Sequence, residues 1–457
     1  MKVLYEGSER IKKITGKKPA EGDYRLSGFV YLYGKDDVYR IKNILTCEIV
    51  GLTKDEFEFV SSLKEKTATL REITDRGLKH LVKTRIFVDK SYDEIKQYRD
   101  VVFILKTMQK KVKGYSKFTI LPTTGCNARC VYCFEAGFKP ETMTRETADH
   151  LIRFITETKR EGKLKLEWFG GEPFSARDII THICKGLTDK GIEFESTIVT
   201  NGSLMTPEVI REAVDVWHLK SAQVSLDGKR KYYEERKDYY DKARFTYDLV
   251  LNNIGELARA GVRINLRCNM DDENISDIDE FLDDMYENFG KYENVSMYLA
   301  PLHQEMKRGT IVTLMKKIQD TYAYIKDSGR GSLIKKFGVP RPFRLNYCLG
   351  DSMDNVVVVM PDGSFTNCEN LPEGRNWGNV REGITDMELY NKLKAEQEVD
   401  EMCRNCPFIP ECTPYRKKQC PVKNDLCREC KELDLDHELL NLAVKEEGDP
   451  DDPDDNC

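Results

Sequence analysis

Three of the chain's 15 cysteines fall within eight residues of one another, in TTGCNARCVYCFEAG, where Cys126, Cys130 and Cys133 are spaced C-x3-C-x2-C. Clustered cysteines in a large chain without a secretion signal read as metal ligands or catalytic groups rather than disulfides. Iron–sulfur sites usually take four cysteines. A compact set of three therefore points to a [4Fe–4S] cluster whose fourth iron keeps an exchangeable position. The rival is a zinc site of three cysteines and a histidine, but the nearest histidine is His150, well along the next helical stretch. Eight more cysteines lie between 348 and 430, and only Cys47, Cys184, Cys268 and Cys457 are scattered. The second group runs Cys348, Gly363 and Cys368 (C-x14-G-x4-C), then Cys403, Cys406 and Cys412 (C-x2-C-x5-C), then Cys420, Cys427 and Cys430. By spacing alone, its C-x2-C pairs would also permit two four-cysteine zinc sites.

A loop of ligands needs a rigid strand end to hold it. From Lys117 onward, strand-like stretches alternate with amphipathic helical ones: FTILPT (118–123), KLKLEWFG (163–170), EFESTIVTNG (193–202), LKSAQVSLDG (219–228), VRINLRCN (262–269) and VSMYLAPL (295–302). Six β/α units in series predict an α/β fold, a parallel sheet covered by helices as an open sheet or partial barrel, with site residues at the C-terminal strand ends. Thr206-Pro207 marks one helix start. If Arg267 and Asn269 point inward, strand alternation turns Cys268 toward the helices as a packed thiol.

Upstream, 25–34 and 37–51 read as two alternating strands joined by a KDD turn. Thr53 with Glu56, and Ser91 with Glu94, read as capping boxes opening two helices, with a returning strand at 85–88. Together these predict a winged-helix-like domain over 1–110, a barrel over 111–335, a cysteine-rich domain over 336–445 and an acidic, disordered tail over 446–457.

Composition narrows the function classes. A net charge of -6 with 33% charged residues argues against a nucleic-acid binder. No apolar run reaches the ~18 residues of a membrane span, so no membrane partner is expected. The opening MKVLYEGSERIKKITGKK has no apolar signal-peptide core, and a cytoplasmic location is expected.

C-x3-C-x2-C with an aromatic, Tyr132, before the last cysteine resembles the signature of the radical S-adenosylmethionine (SAM) superfamily. Gly170-Gly171-Glu172-Pro173 is similar to that family's GGEP motif, and Thr200-Asn201-Gly202, Ser225 with Asp227, and Arg267 with Asn269 follow at successive strand ends. The resemblance implies a partial (β/α)6 barrel and a cluster whose open iron takes the amino and carboxylate groups of SAM. One electron then cleaves SAM to a hydrogen-abstracting 5′-deoxyadenosyl radical. It also implies cofactor contacts from Gly170, Gly171, Glu172, Asn201, Ser225, Arg267 and Asn269. Arg236, beside Lys237, would pair with the SAM carboxylate.

The second cysteine group is similar to the SPASM domain, which carries two auxiliary [4Fe–4S] clusters and would bring the total to three. That resemblance assigns Cys348, Cys368 and Cys420 to one auxiliary cluster. Cys403, Cys406 and Cys412, with Cys427 or Cys430, go to the other. The family's x3 spacing is x7 here, with Arg416 where a cysteine is expected, so the first auxiliary cluster could keep an open iron for a substrate thiolate. Glu369 stands where sulfatase-maturing relatives carry a proposed general base.

SPASM relatives modify peptides and proteins, and the N-terminal unit looks like the precursor-recognition element of peptide maturases. The expected activity is leader-peptide binding followed by crosslinking of the core peptide, Cys-to-carbon thioethers first, with flavodoxin or ferredoxin as electron donor. Carbon–carbon crosslinking, epimerisation and sulfatase maturation are the alternative reactions, and a zinc-binding scaffold or regulator is the non-enzymatic one.

Overall fold

Period-two alternation near the start of the chain gives β1 (Lys2–Tyr5), β2 (Asp23–Leu26), β3 (Val30–Lys35), β4 (Val38–Asn43) and β5 (Ile49–Gly51). The computed structural model describes residues 1–15, 19–110, 114–302, 308–334, 352–369, 375–394, 406–411, 427–440 and 442. Strands β1, β5, β4 and β3 pair antiparallel in that order, leaving β3 at an edge. Strand β2 instead joins β6 (Ala68–Thr69) and β7 (Phe87–Asp89) in a second small sheet.

The two long strands expected over 25–34 and 37–51 are each broken in two. Asn43 causes the second break: its side-chain oxygen accepts from the backbone N–H groups of Leu45 and Thr46 at 2.9 and 3.0 Å. That is a local turn of the kind asparagine favours, and Cys47 continues it at φ +62°.

The Thr53–Glu56 capping box forms on the helix Lys54–Ser62, and an unforeseen one at Thr69–Glu72 opens Leu70–Asp75. The Ser91–Glu94 box does not form. The Asp93 carboxylate takes the Lys96 N–H instead, while Glu94 reaches Arg25 at 2.7 Å and the Gly28 N–H at 2.9 Å. A guanidinium is a stronger partner for a carboxylate than a lone backbone N–H.

Both faces of the N-terminal sheet are covered. Ile41 and Val50 pack with Val60 and Leu63 on one side, while Tyr33 and Ile49 meet Leu439 and Leu442 on the other. The helix Cys427–Leu440 supplies the second cover. Tyr31 donates to Asp436 at 2.6 Å, and Lys42 pairs with Glu438 at 2.6 Å with both side chains buried. Cys406 and Ile409 join a further cluster with Ile11, Phe29, Leu45 and Val101. At the sheet's end Glu48, fully buried, binds Lys12 at 2.7 Å, His80 at 2.9 Å and the Gly7 N–H at 2.8 Å.

The second unit is built on six parallel strands in sequential order: β8 (Lys117–Thr123), β9 (Leu164–Gly170), β10 (Phe194–Thr200), β11 (Leu219–Ser225), β12 (Arg263–Met270) and β13 (Val295–Pro301). This is the parallel α/β sheet that the alternation predicts. The spacing of apolar residues on the intervening helices explains the layering. In Arg145–Thr158, Ala148, Leu151, Ile152 and Ile155 are all buried, a single stripe facing the sheet. On the strands, Leu166, Trp168, Val224, Leu266 and Met297 join that core. Their alternates Glu167, Phe169, Gln223, Ser225, Arg267 and Tyr298 are half-buried on the other face. Cys268 is fully buried in the core, as alternation predicts.

The cysteine-rich region does not stand apart. Strand β14 (Val356–Val359) pairs parallel with β8, and β15 (Ser364–Thr366), β16 (Gly378–Asn379) and β17 (Gly383–Ile384) extend the same sheet. Within the stretch assigned by sequence to one domain over 336–445, the described residues 352–369 and 375–394 group with the barrel, and 406–411, 427–440 and 442 with the N-terminal unit. The physical reason is visible in β14, four valines in a row, which reads as a strand that must be buried on both faces.

The Glu48 cluster yields a test. Burial would raise this carboxyl, but the bonds from Lys12, Gly7 and His80 outweigh it and hold it below the usual carboxylate range. Its stabilising contribution is therefore complete above that range and lost as pH falls through the lowered value. Glu48→Gln should destabilise the N-terminal unit by about 3 kcal/mol near neutrality, read from hydrogen exchange of β4 and β5. The difference from wild type should vanish at acid pH.

Candidate active site

Strand β8 ends at Thr123, and its hydroxyl organises the loop that follows, accepting from the Gly125 N–H at 2.9 Å and donating to the Glu141 carbonyl at 2.8 Å. The segment after β9 lies alongside. Gly171 N–H donates to the Thr123 carbonyl (3.1 Å) and Glu172 N–H to the Gly125 carbonyl (2.9 Å). Glycine is required at both positions. Gly170 sits at φ +108°, and a Cβ there would lie 2.3 Å from the Thr123 carbonyl oxygen; one on Gly171 would lie 2.3 Å from that of Gly125.

Cys126, Cys130 and Cys133 follow on this loop as half-buried free thiols. Burial, Glu172 and the other two thiols push Cys126 up to about 12, and burial likewise raises Cys130 and Cys133. Three thiols at one strand end that are costly to ionise on their own suit an iron–sulfur cluster, because a bound metal deprotonates its thiol ligands outright. Among the described residues no three His, Cys, Asp or Glu side chains converge closely enough to hold a single metal ion.

Glu172 and Asn201 brace the loop from behind. Glu172 is fully buried, and its carboxyl accepts from Thr200 Oγ1 (2.8 Å), Asn201 N–H (2.8 Å) and Phe174 N–H (3.2 Å). Burial pushes it up to about 7 against the pull of those donors. The sequence expectation gives Glu172 a SAM contact; in the structure its bonds tie the GGEP turn to the end of β10. Asn201 Nδ2 donates to Asn127 at 2.8 Å and approaches Cys126 Sγ at 3.9 Å.

A second brace crosses the ends of β11 and β12. The Tyr132 hydroxyl bonds Asp227, and Lys237, fully buried, reaches Tyr132 at 2.8 Å and Asp227 at 3.1 Å. Asn269 donates to Asp227 at 2.8 Å and accepts from Arg267 at 3.0 Å. Ser225 is the direct register partner of Arg267, so these two and Asn269 are brought together. Burial alone would discharge the Lys237 amine; Asp227 and Tyr132 reverse this and keep it protonated.

Arg236 is not brought to this group. It pairs with Asp271 at 2.7 Å and stacks on Tyr232, so of the two adjacent cations it is Lys237 that faces the cysteine loop. The Asn127, Tyr132–Asp227 and Lys237 contacts escaped sequence reasoning. The one available signal, the aromatic within the cysteine motif, does not reveal its partner.

Glu369 follows β15, half-buried, raised by burial and by neighbouring Glu167. Glu135, just beyond Cys133, is buried and pushed up to about 7 by burial and by Glu369. Cys368 and Cys406 are half-buried thiols. Cys427 and Cys430 stand one turn apart at the start of their helix. Cys348, Cys403, Cys412 and Cys420 lie outside the described residues.

Residues 120–285 match the Radical SAM superfamily, and the chain thus carries a radical SAM domain. Among curated relatives, it is 26% identical to Fe-coproporphyrin III synthase of Methanosarcina barkeri over 161 residues, 35% of this chain and 38% of that protein. It is 21% identical to PqqA peptide cyclase of Rhodopseudomonas palustris over 307 residues, 63% and 78% of the two chains. Among solved structures, native anSMEcpe with bound AdoMet and Cp18Cys peptide aligns with a TM-score of 0.55 at 15% identity, covering 71% of this chain and 98% of that one. Streptococcus suis SuiB bound to precursor peptide SuiA aligns at 0.50 and 14%, covering 85% and 94%. These two likenesses establish the shared fold. Among the described residues no helix is long and apolar enough to cross a membrane.

The close approach at Gly171 gives the next test. Gly171→Ala should displace the cysteine loop and lower iron content by about four atoms per chain after anaerobic reconstitution. Gly331→Ala, where a Cβ meets open space, should leave it unchanged.

Proposed function

We propose that this chain is a radical SAM peptide maturase that docks a precursor's leader and crosslinks the core peptide, with Cys-to-carbon thioethers as the first product. The observation that carries the reading is the three-thiol loop at the end of β8, laid against Gly170–Glu172 and braced by Asn201. Support for a peptide substrate comes from the likeness to PqqA peptide cyclase and from the peptides named in the anSMEcpe and SuiB structures. The leader would add as a strand to β3, which among the described residues pairs on one side only, with β4, and lies beside the helix Lys54–Ser62.

When bound, the clusters and SAM supply a hydrogen-atom abstraction and a sink for one electron. Cys126, Cys130 and Cys133 hold the SAM-binding cluster. The backbone of Gly170 and Gly171, with Asn201, Ser225, Arg267 and Asn269, shapes the cofactor site. In the C-terminal region Cys348, Cys368 and Cys420 hold one auxiliary cluster, and Cys403, Cys406 and Cys412 with Cys427 or Cys430 the other. Closing a sulfur–carbon bond removes two hydrogens from the peptide, one as an atom and one as the thiol proton. Glu369 accepts that proton, and flavodoxin or ferredoxin supplies the electron that starts the cycle.

Anaerobic analysis should find about 12 irons with matching labile sulfide; stoichiometric zinc without sulfide would sink the reading. A co-expressed cysteine-containing precursor should lose two hydrogens per crosslink by mass spectrometry. Deleting its leader should slow modification about a hundredfold. An unchanged mass would point to epimerisation.

A further inference from the structure

Lys237 grips the cysteine loop twice. Its backbone carbonyl accepts from the Arg129 N–H at 3.2 Å, and its amine reaches the Tyr132 hydroxyl at 2.8 Å. The amine is fully buried, with the rings of Tyr132 and Tyr233 at 5.4 and 5.8 Å. Asp227 balances it at 3.1 Å and is itself fixed by Asn269. The pair is therefore fixed at the ends of β11 and β12, and both of its charges meet the cysteine motif at the Tyr132 hydroxyl, so each acts on the loop with its own sign.

A cluster gains one negative charge on reduction, and its potential follows nearby charge, hydrogen bonding and solvent exposure. In a dry site such a charge is poorly screened. We propose that Lys237 is a positioning residue that raises the reduction potential of the cluster held by Cys126, Cys130 and Cys133, with Asp227 as the opposing charge. The inference rests on the radical SAM reading above. The step concerned is transfer of one electron to that cluster from a low-potential carrier protein of the flavodoxin or ferredoxin kind, with no bond made or broken.

The test is EPR-monitored potentiometry of the full-length, reconstituted protein, following the [4Fe–4S] signal that SAM perturbs. Lys237→Met keeps the side-chain volume and should shift the reduction equilibrium at least tenfold toward the oxidised form, about 59 mV lower for a one-electron couple. Asp227→Asn should move it the other way. The double variant, which leaves no unpaired buried charge, should return close to wild type, and Lys237→Arg should restore the potential. Potentials that stay fixed, or shift in the same direction in both single variants, would overturn the proposal, because a purely structural role has no sign. A wild-type protein without iron and sulfide would instead overturn the reading beneath it.

Discussion

Two backbone hydrogen bonds, from Gly171 to Thr123 and from Glu172 to Gly125, hold the candidate site together. They zip the turn after β9 onto the loop after β8, and they form only because Gly170 and Gly171 carry no side chain. Once that zip is closed, Glu172 is buried behind it and its carboxyl collects the donors of Thr200 and Asn201, which brings the end of β10 into the same assembly. Asn201 then reaches Asn127. The cysteine loop is thus set by main-chain geometry at one end and a short polar relay at the other.

On the far side, the loop is held by charge. Tyr132, Lys237 and Asp227 form a buried group in which every polar atom depends on the others, and Asn269 extends it to Arg267. Such groups stay in place only while fully partnered, since a lone buried charge is costly. The two braces differ in kind, one gathering main-chain and hydroxyl donors onto Glu172 and the other built on a lysine–aspartate ion pair.

Much of this was legible in the sequence, for identifiable reasons. The six barrel strands announce themselves by alternation and by the glycines and polar residues at their ends, because local pattern and global fold agree there. Cys268 was correctly turned away from the site by the same alternation. What could not be read is non-local. Arg236 and Lys237 are adjacent on one helix, and only the positions of Asp271 and Asp227 decide which faces the loop. Glu94 makes a plausible cap until Arg25, 69 positions away, claims it. The division of the C-terminal region between two units depends on β14 finding the free edge of β8, a pairing across more than two hundred residues.

The helix that covers the N-terminal sheet has a consequence for the birth of the protein. Strands β3 to β5 are complete by residue 51, but the side chains that seal one of their faces, Leu439 and Leu442, are made nearly four hundred residues later. At ordinary rates of synthesis that face stays bare for roughly twenty seconds or more. Tyr33 and Ile49 must wait, exposed, for a helix that is synthesised much later. A truncated product would leave the ribosome with an apolar sheet face uncovered, a substrate for chaperones and proteases rather than a smaller working enzyme.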